Sequence, residues 1–366
     1  MVETYEEIVR EAIAARQRTW EQPHLGQPLD LAVIKDIVKR LGEYGYTAID
    51  GGNQVDMAQA ERLIDFNRSV DGEKEDDMTV IEVSDTGGFA CYDLHTENGK
   101  VDVSKSYYAW EGAKVEKMAE GSYTADNWQY TEDGYIMFSG TWVSQELYVL
   151  MLSEEAEHTA FRVQPLDETC RELNRKYIMP VGYHQNNMFV TNWDETDYGE
   201  LDFYDLFDCF YPLVMGKDSP YSADENPNIG TVYDILPEEF ESVIFSYFRV
   251  DSQTLQAKTD YDTGKGTYVY KPRGLYEAGY SNVPYPEVTA YRENSDKTIT
   301  LTVHVVFPYE SLSSVYVHEV VIRPLANGRT EYVSNHIIPS TDYYEETWYT
   351  PRLTAVEWEQ IYNGQW

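Results

Sequence analysis

Residues 298–338 read TITLTVHVVFPYESLSSVYVHEVVIRPLANGRTEYVSNHII. Three runs rich in β-branched residues, about Thr298–Phe307, Val315–Arg323 and Thr330–Ile338, alternate with period two between turn residues. That pattern predicts an antiparallel meander. Asn327–Gly328 suits a two-residue type I′ turn, whose positions both need positive φ, and it makes paired residue numbers sum to 655. Glu319 then faces His336, and His318 faces Ile337. The longer connection Pro308–Ser314, taken as symmetric, sets His304 opposite His318 and Val303 opposite Glu319. The face that holds Glu319 and His336 then also carries Leu301, Val303, Val305, Val317 and Val321, and is the expected inner face.

Upstream of this sheet, Pro237 opens a helix with Phe240, Val243, Ile244, Tyr247 and Phe248 on one stripe. A long helix laid across a curved sheet resembles the cystatin or nuclear-transport-factor-like architecture, an analogy that carries no function. Before it, 216–231 is polar with Pro220 and Pro227, as a linker would be, and Asp167–Ile178 and Leu201–Met215 read as helices. At the N-terminus a helix is expected from about Glu3 to Arg18, broken by Pro23, Gly26 and Pro28. A second carries the stripe Leu31, Ile34, Ile37, Val38 and Leu41, and a third runs from Met57 to about Val70. From Met78 the period becomes two. Gly87–Gly88, Asn98–Gly99 and Asp133–Gly134 mark turns, with strands at Val101–Trp110, Trp128–Thr131, Tyr135–Trp142, Leu147–Leu152 and Thr159–Val163. The fold class is α+β, built as two helix-then-antiparallel-sheet units. Residues 1–165 form a helical cap plus β-meander, 166–232 a helical connection and linker, and 233–366 a helix plus antiparallel sheet.

The chain's 64 acidic and 28 basic side chains among 366 residues give a formal charge of −36. With no basic excess to neutralise phosphates, nucleic acid is not an expected partner, and neither is an anionic membrane surface. The hydrophobic fraction of 42%, with 32 tyrosines, supplies enough apolar material for packed cores. Cys91, Cys170 and Cys209 are far apart, show no zinc spacing and read as small apolar residues. No run approaches the ~20 apolar residues of a membrane helix, and 1–20 is acidic and amphipathic, unlike a signal peptide.

Several motifs form a set: ArgValGlnProLeu at 162–166, CysArgGluLeuAsnArgLysTyrIle at 170–178 with Pro180, GlyTyrHisGlnAsnAsn at 182–187, ValProTyrProGluVal at 283–288 and ValHisGluValValIleArgProLeu at 317–325. Together they resemble an uncharacterised family of exported, often lipoprotein-type proteins of anaerobic Gram-positive bacteria, from about Asp50 to the end. The resemblance transfers no catalytic residues. It implies an extracytoplasmic home, with membrane attachment only through an N-terminal anchor missing from this chain.

Three constellations carry chemistry. Glu319 and His336, on an apolar face, must pair or be hydrated, and as a pair they are weak acid–base candidates. The more frequent role of such a pair is a structural ion pair. His304 and His318 would make half a metal site with no third ligand, so no metal is expected. The loop 182–199 sets Tyr183, His184, Asn186, Asn187, Trp193 and Asp194 together. Rings beside amides and carboxylates suit sugar recognition, against the plainer reading of a well-bonded acidic loop. Asp260–Gly266 resembles a calcium loop but has Lys265 and Lys271 where a glycine and a carboxylate are needed, so a tight turn is expected. Hydrolase, Rossmann and zincin motifs are missing. These readings favour a non-enzymatic, exported cell-surface protein that binds a glycan, peptide or partner protein, as a monomer and without a cofactor. The alternatives are an extracellular polymer hydrolase using carboxylate and His groups, and a structural envelope module.

Overall fold

The computed structural model describes residues 1–15, 28–142, 155–326, 328–339 and 348–363. The architecture is mixed α+β with antiparallel sheets, and it divides into two compact units, 1–166 with 308–313, and 167–307 with 314–366. The irregular stretch 216–232 lies inside the second unit.

In the first unit, α1 (Val2–Ala14) buries Tyr5, Ile8, Val9, Ala12 and Ile13, and the rest of the helix expected to Arg18 lies outside the described residues. Helix α2 (Leu31–Glu43) buries Ile34, Ile37, Val38 and Leu41 as the stripe predicts, with Val33 added. Strand β1 (Thr47–Asp50), α3 (Ala60–Asp71) and β2 (Asp76–Val83) form a crossover that leaves β1 and β2 parallel. The sheet is completed by β3 (Phe89–Glu97), β4 (Lys100–Glu111) and β5 (Lys114–Thr124), in the order β1-β2-β3-β4-β5. The expected purely antiparallel meander is thus corrected at its edge. Strand β1 has four residues, all buried, between Gly45 and Gly51, too few to show a period. Strand β5 was hidden because its residues, LysValGluLysMetAlaGluGlySerTyrThr, are mostly polar and exposed. The Asn98–Gly99 turn has φ of 53° and 73° and joins the pair Glu97 and Lys100, as a type I′ hairpin should.

A three-stranded sheet of β6 (Asn127–Tyr130), β7 (Tyr135–Trp142) and β8 (Glu155–Arg162) lies beside it in the chain, while the strand expected at Leu147–Leu152 lies outside the described residues. The β1–β3 part of the large sheet is covered on both faces. Its Ala48, Ile81, Val83 and Phe89 pack with α1 and α2, and its Ile49, Val80, Tyr92 and Leu94 pack with α3 and with Ile136, Phe138 and Phe161 of the smaller sheet.

In the second unit Asp167 caps α4 (Glu168–Leu173), accepting from the Cys170 N–H at 3.1 Å, and a π-helical turn continues to Ile178. There follow β9 (Trp193–Asp194), α5 (Phe203–Met215), β10 (Tyr233–Ile235), α6 (Pro237–Ile244), α7 (Ser252–Ala257), β11 (Tyr261–Asp262) and β12 (Thr267–Tyr270). Between β11 and β12, the Asp262 carboxylate accepts from the Gly264 N–H at 2.8 Å, the tight turn expected there. Strands β13 (Tyr285–Glu293), β14 (Ile299–Val306), β15 (Val317–Pro324) and β16 (Thr330–Ile338) form a sheet in the order β13-β14-β15-β16-β9, and α8 (Ala355–Tyr362) closes the described chain.

The helix expected across the C-terminal sheet is a correction. Helix α6 ends at Ile244, and its Phe240 stacks between Phe207 of α5 at 4.8 Å and Tyr268 of β12 at 4.4 Å. The helix itself therefore packs with the small sheet β10-β12-β11, whereas Tyr247 and Phe248, beyond its end, reach the C-terminal sheet at Tyr332 of β16, so no long helix carries the cystatin-like analogy.

Candidate functional site

Glu319 pairs with His336 and His318 with Ile337, so the register sum of 655 holds there. It holds through two compensating departures. Asn327 lies outside the described residues, but the Leu325 N–H donates to the Arg329 carbonyl at 2.8 Å, and the pairs nearest the turn sum to 654. A bulge then leaves Val333 unpaired and restores the expected sum.

Between β14 and β15 the register differs by one residue from the symmetric loop. Val303 faces His318, and Leu301 faces Val320. The connection is no hairpin loop, because 308–313 belong to the first unit, where the Ser313 hydroxyl donates to Asp133 at 2.7 Å. A slip of one turns every side chain of the strand over. Leu301, Val303 and Val305 are fully buried as expected, but the residues beside them are His318, Val320 and Ile322, while Glu319 is half-buried and His336 exposed. Among the described residues no hydrogen bond joins Glu319 to His336, and the buried apolar setting that made them acid–base candidates is absent. Glu319→Ala and His336→Ala should each change stability by no more than about 0.5 kcal/mol and should add. A thermal-melting series on the two single variants and the double checks this.

His304 and His318 point to opposite faces, since they pair with Val317 and Val303 respectively, and no half metal site forms. Among the described residues no group of three His, Cys, Asp or Glu side chains is placed to hold an ion. His318 is fully buried, with Tyr183 Oη 2.8 Å from Nε2 and Asn335 Oδ1 2.6 Å from Nδ1. Asn335 Nδ2 donates to the Thr191 carbonyl at 2.7 Å, so its Oδ1 must accept from His318 Nδ1–H, and Nε2 accepts from Tyr183. Burial pulls the imidazole down to about 4, against the Asn335 hydrogen bond, and keeps it neutral.

The loop 182–199 turns inward. Tyr183, Asn186, Asn187 and Trp193 are buried, His184 is exposed and Asp194 half-exposed. Trp193 donates Nε1–H to the Met188 carbonyl at 2.8 Å and pairs with Asn335 as part of β9. Asn186 Nδ2 donates to Val181 O at 3.2 Å while its Oδ1 accepts from the Met188 N–H at 3.1 Å. The Asp194 carboxylate accepts from Thr196 and Asp197, which holds it below the usual carboxylate range. The rings of Tyr183 and Trp193 are sealed in the core and offer no face to a sugar, while His184 and Asp194 keep exposed surface. Asn187 alone leads elsewhere: it bonds Glu200 O at 2.8 Å and accepts from the Asp202 N–H at 3.0 Å, which anchors the start of α5.

A recess of about 470 Å³ opens at that helix start, lined by Asp202, Tyr204, Asp260, Lys271, Arg352 and Trp358 among others. Asp202 caps α5, its Oδ1 accepting from the N–H groups of Tyr204 at 2.9 Å and Asp205 at 3.1 Å. Behind it stands a buried charge network. Asp205 takes Arg273 through two bonds of 2.9 and 2.8 Å and Arg352 Nε at 2.7 Å, and Arg352 also reaches Asp208. Tyr204 Oη holds Asp260 by its backbone, donating to O at 3.1 Å and accepting from N–H at 2.9 Å. The Lys271 ammonium sits 4.8 Å from the Trp358 ring centre.

Burial, reinforced by Asp205 and opposed by Arg352, raises the Asp202 carboxyl from 3.8 to about 6. A carboxyl raised in the folded state binds a proton that the unfolded chain has already lost, so it subtracts stability as pH climbs from about 4 to about 6. Asp202→Asn keeps the cap and removes the titration. Its stability relative to the parent should therefore improve across that window and level off above it. Urea midpoints of both proteins from pH 4 to 7 test this, and a flat difference would contradict it.

Of the recess residues, the sequence marks Asp260 and Lys271 only within the failed calcium-loop match, and Asp202, Tyr204, Arg352 and Trp358 belong to no motif. The available signal was Asp202, Asp205 and Asp208 at i, i+3 and i+6 on an otherwise apolar helix. Charges so placed need partners, and Arg273 and Arg352 lie 68 and 147 positions from Asp205.

Residues 1–352 match a family described as "Family of unknown function (DUF6070)", a span that begins ahead of the motifs from Asp50 onward. No curated protein and no solved structure matches the chain.

Proposed function

Since this chain belongs to DUF6070, a family of unknown function, we propose its role from the recess: an exported cell-surface protein that binds a glycan or peptide fragment without turning it over. The observation that carries this reading is the recess of about 470 Å³ with the rings of Tyr204 and Trp358 beside Asp202, Asp260 and Lys271. Its volume falls within the range of small-molecule sites, and rings next to a few fixed polar groups are the usual lining of such sites. Export is supported by the motif resemblance. Among the described residues no helix is long and apolar enough to cross a membrane. Glycan and peptide arrays probed with the whole chain test the binding. Retention of intact ligand supports it, and capture of nothing on either array rejects it. Native cells that hold the protein in their soluble cytosol would reject the export.

A second reading has one observation in its favour. A carboxyl raised to about 6 and lining a recess is suited to general acid chemistry near neutral pH. In that case the retained ligand would be cleaved, and Asp202→Asn would abolish cleavage while preserving binding.

A further inference from the structure

We propose that the recess selects a zwitterion, the free ammonium and carboxylate of a short peptide, in preference to a neutral glycan. This inference rests on the binding reading above and narrows it. Lys271 lines the recess, and among the described residues no carboxylate stands within ion-pair distance of its ammonium; its one partner is the Trp358 ring. That is unusual company for a cation in a chain with 64 acidic side chains and 28 basic ones. The neighbouring Arg273 and Arg352, by contrast, are neutralised by Asp205 and Asp208. The anionic side of the recess is equally open. Among the described residues the Asp260 carboxylate accepts no hydrogen bond, although its backbone is held on both sides by Tyr204 Oη. Asp202 spends Oδ1 on the helix cap, with Arg352 Nε 3.8 Å from the same oxygen, and its Oδ2 accepts no hydrogen bond among the described residues.

The recess therefore presents one cation without a carboxylate partner and two carboxylates with spare acceptor capacity, set around two aromatic rings, while the third carboxylate of its lining, Glu277, already accepts from the Gly274 and Leu353 N–H groups. A neutral sugar filling it would strip water from Lys271 and return no counter-charge. A ligand with a carboxylate for Lys271 and an ammonium for Asp202 and Asp260 supplies both, and charge-assisted bonds are the stronger kind. Specificity follows as much from the groups a wrong ligand leaves unpaired as from those the right ligand satisfies.

Saturation-transfer NMR and calorimetry on the whole chain decide the matter, with three probes: a mixture of free dipeptides, the same mixture N-acetylated and C-amidated, and a mixture of neutral chito- and cello-oligosaccharides. The expected result is binding of the free dipeptides, at least tenfold weaker binding once both ends are capped, and loss of the preference for a free carboxylate in Lys271→Met. Asp260→Asn should reduce the preference for a free amine. Equal binding of capped and free dipeptides, or binding of the oligosaccharides alone, overturns the zwitterion inference and leaves the binding reading standing. Failure of all three mixtures, with the chain's melting transition intact, overturns both.

Discussion

Asp205→Ala should cost about 3–5 kcal/mol, the loss expected when one partner of a buried ion pair is removed. The Asp205 side chain has no exposed surface, and Arg273 and Arg352 retain only 7% and 11% of theirs. Four bonds end on this carboxylate: two from Arg273, one from Arg352 and one from the Tyr349 hydroxyl at 3.0 Å. Without it Arg352 keeps Asp208, but Arg273 is left with the carbonyls of Thr350 at 2.8 Å and Glu277 at 3.4 Å. A guanidinium held by carbonyls alone is a desolvated charge without a counter-charge. Adding Arg273→Met to Asp205→Ala removes that stranded cation, so the double variant should lose less than the two singles summed. Urea midpoints with unchanged slopes are the measurement, and additive losses would show that the pair is not coupled.

The first unit has its own buried pair and should respond in the opposite way to full replacement. Lys105 of β4 contacts Glu157 of β8, with 6% and 13% of the side chains exposed. The ammonium lies 4.4 Å from the Tyr92 ring centre and 4.5 Å from that of Tyr107, and burial pulls it down to about 8. Glu157 Oε2 is buried without a hydrogen-bond partner, so the desolvation of the pair is incompletely offset. Glu157→Leu alone should then cost about 3–5 kcal/mol, whereas Lys105→Met with Glu157→Leu should be neutral or gain about 1–4 kcal/mol. Denaturant titration of the three variants measures it. A double variant as unstable as Glu157→Leu would mean that the rings, not the charges, hold this site together.

Local chemistry was legible wherever it acts over a few residues. The Asn98–Gly99 hairpin, the Leu31–Leu41 stripe, the start of α6 at Pro237 and the α+β class itself all follow from φ preferences and from apolar spacing. These determinants lie within one or two turns of backbone, and no distant residue is needed to read them. The pairing of Glu319 with His336 was legible too, although a wider turn and a bulge at Val333 reach it by a different route.

What tertiary structure alone decided was direction and partnership. The connection Pro308–Ser313 belongs to the first unit, so β15 meets β14 one residue away from the symmetric register. In a two-residue period that single step moved Glu319 and His336 outward and drew His318 in, onto Tyr183 and Asn335. Period alone cannot signal it, because Val317, Val320 and Val321 suit either face. The loop 182–199 was read as a surface because its residues are polar and aromatic, yet amides and phenols are buried readily once each finds a carbonyl or imidazole partner, and those partners lie up to 135 positions away. The recess shows the same physics from the other side. Asp202, Asp260, Lys271 and Trp358 are ordinary residues in four separate segments, and only the folding of the second unit brings them to one cavity with a raised carboxyl and an ammonium without a carboxylate partner. The residues themselves supply the charge, and long-range chain contacts determine whether that charge meets water, a partner or an open space.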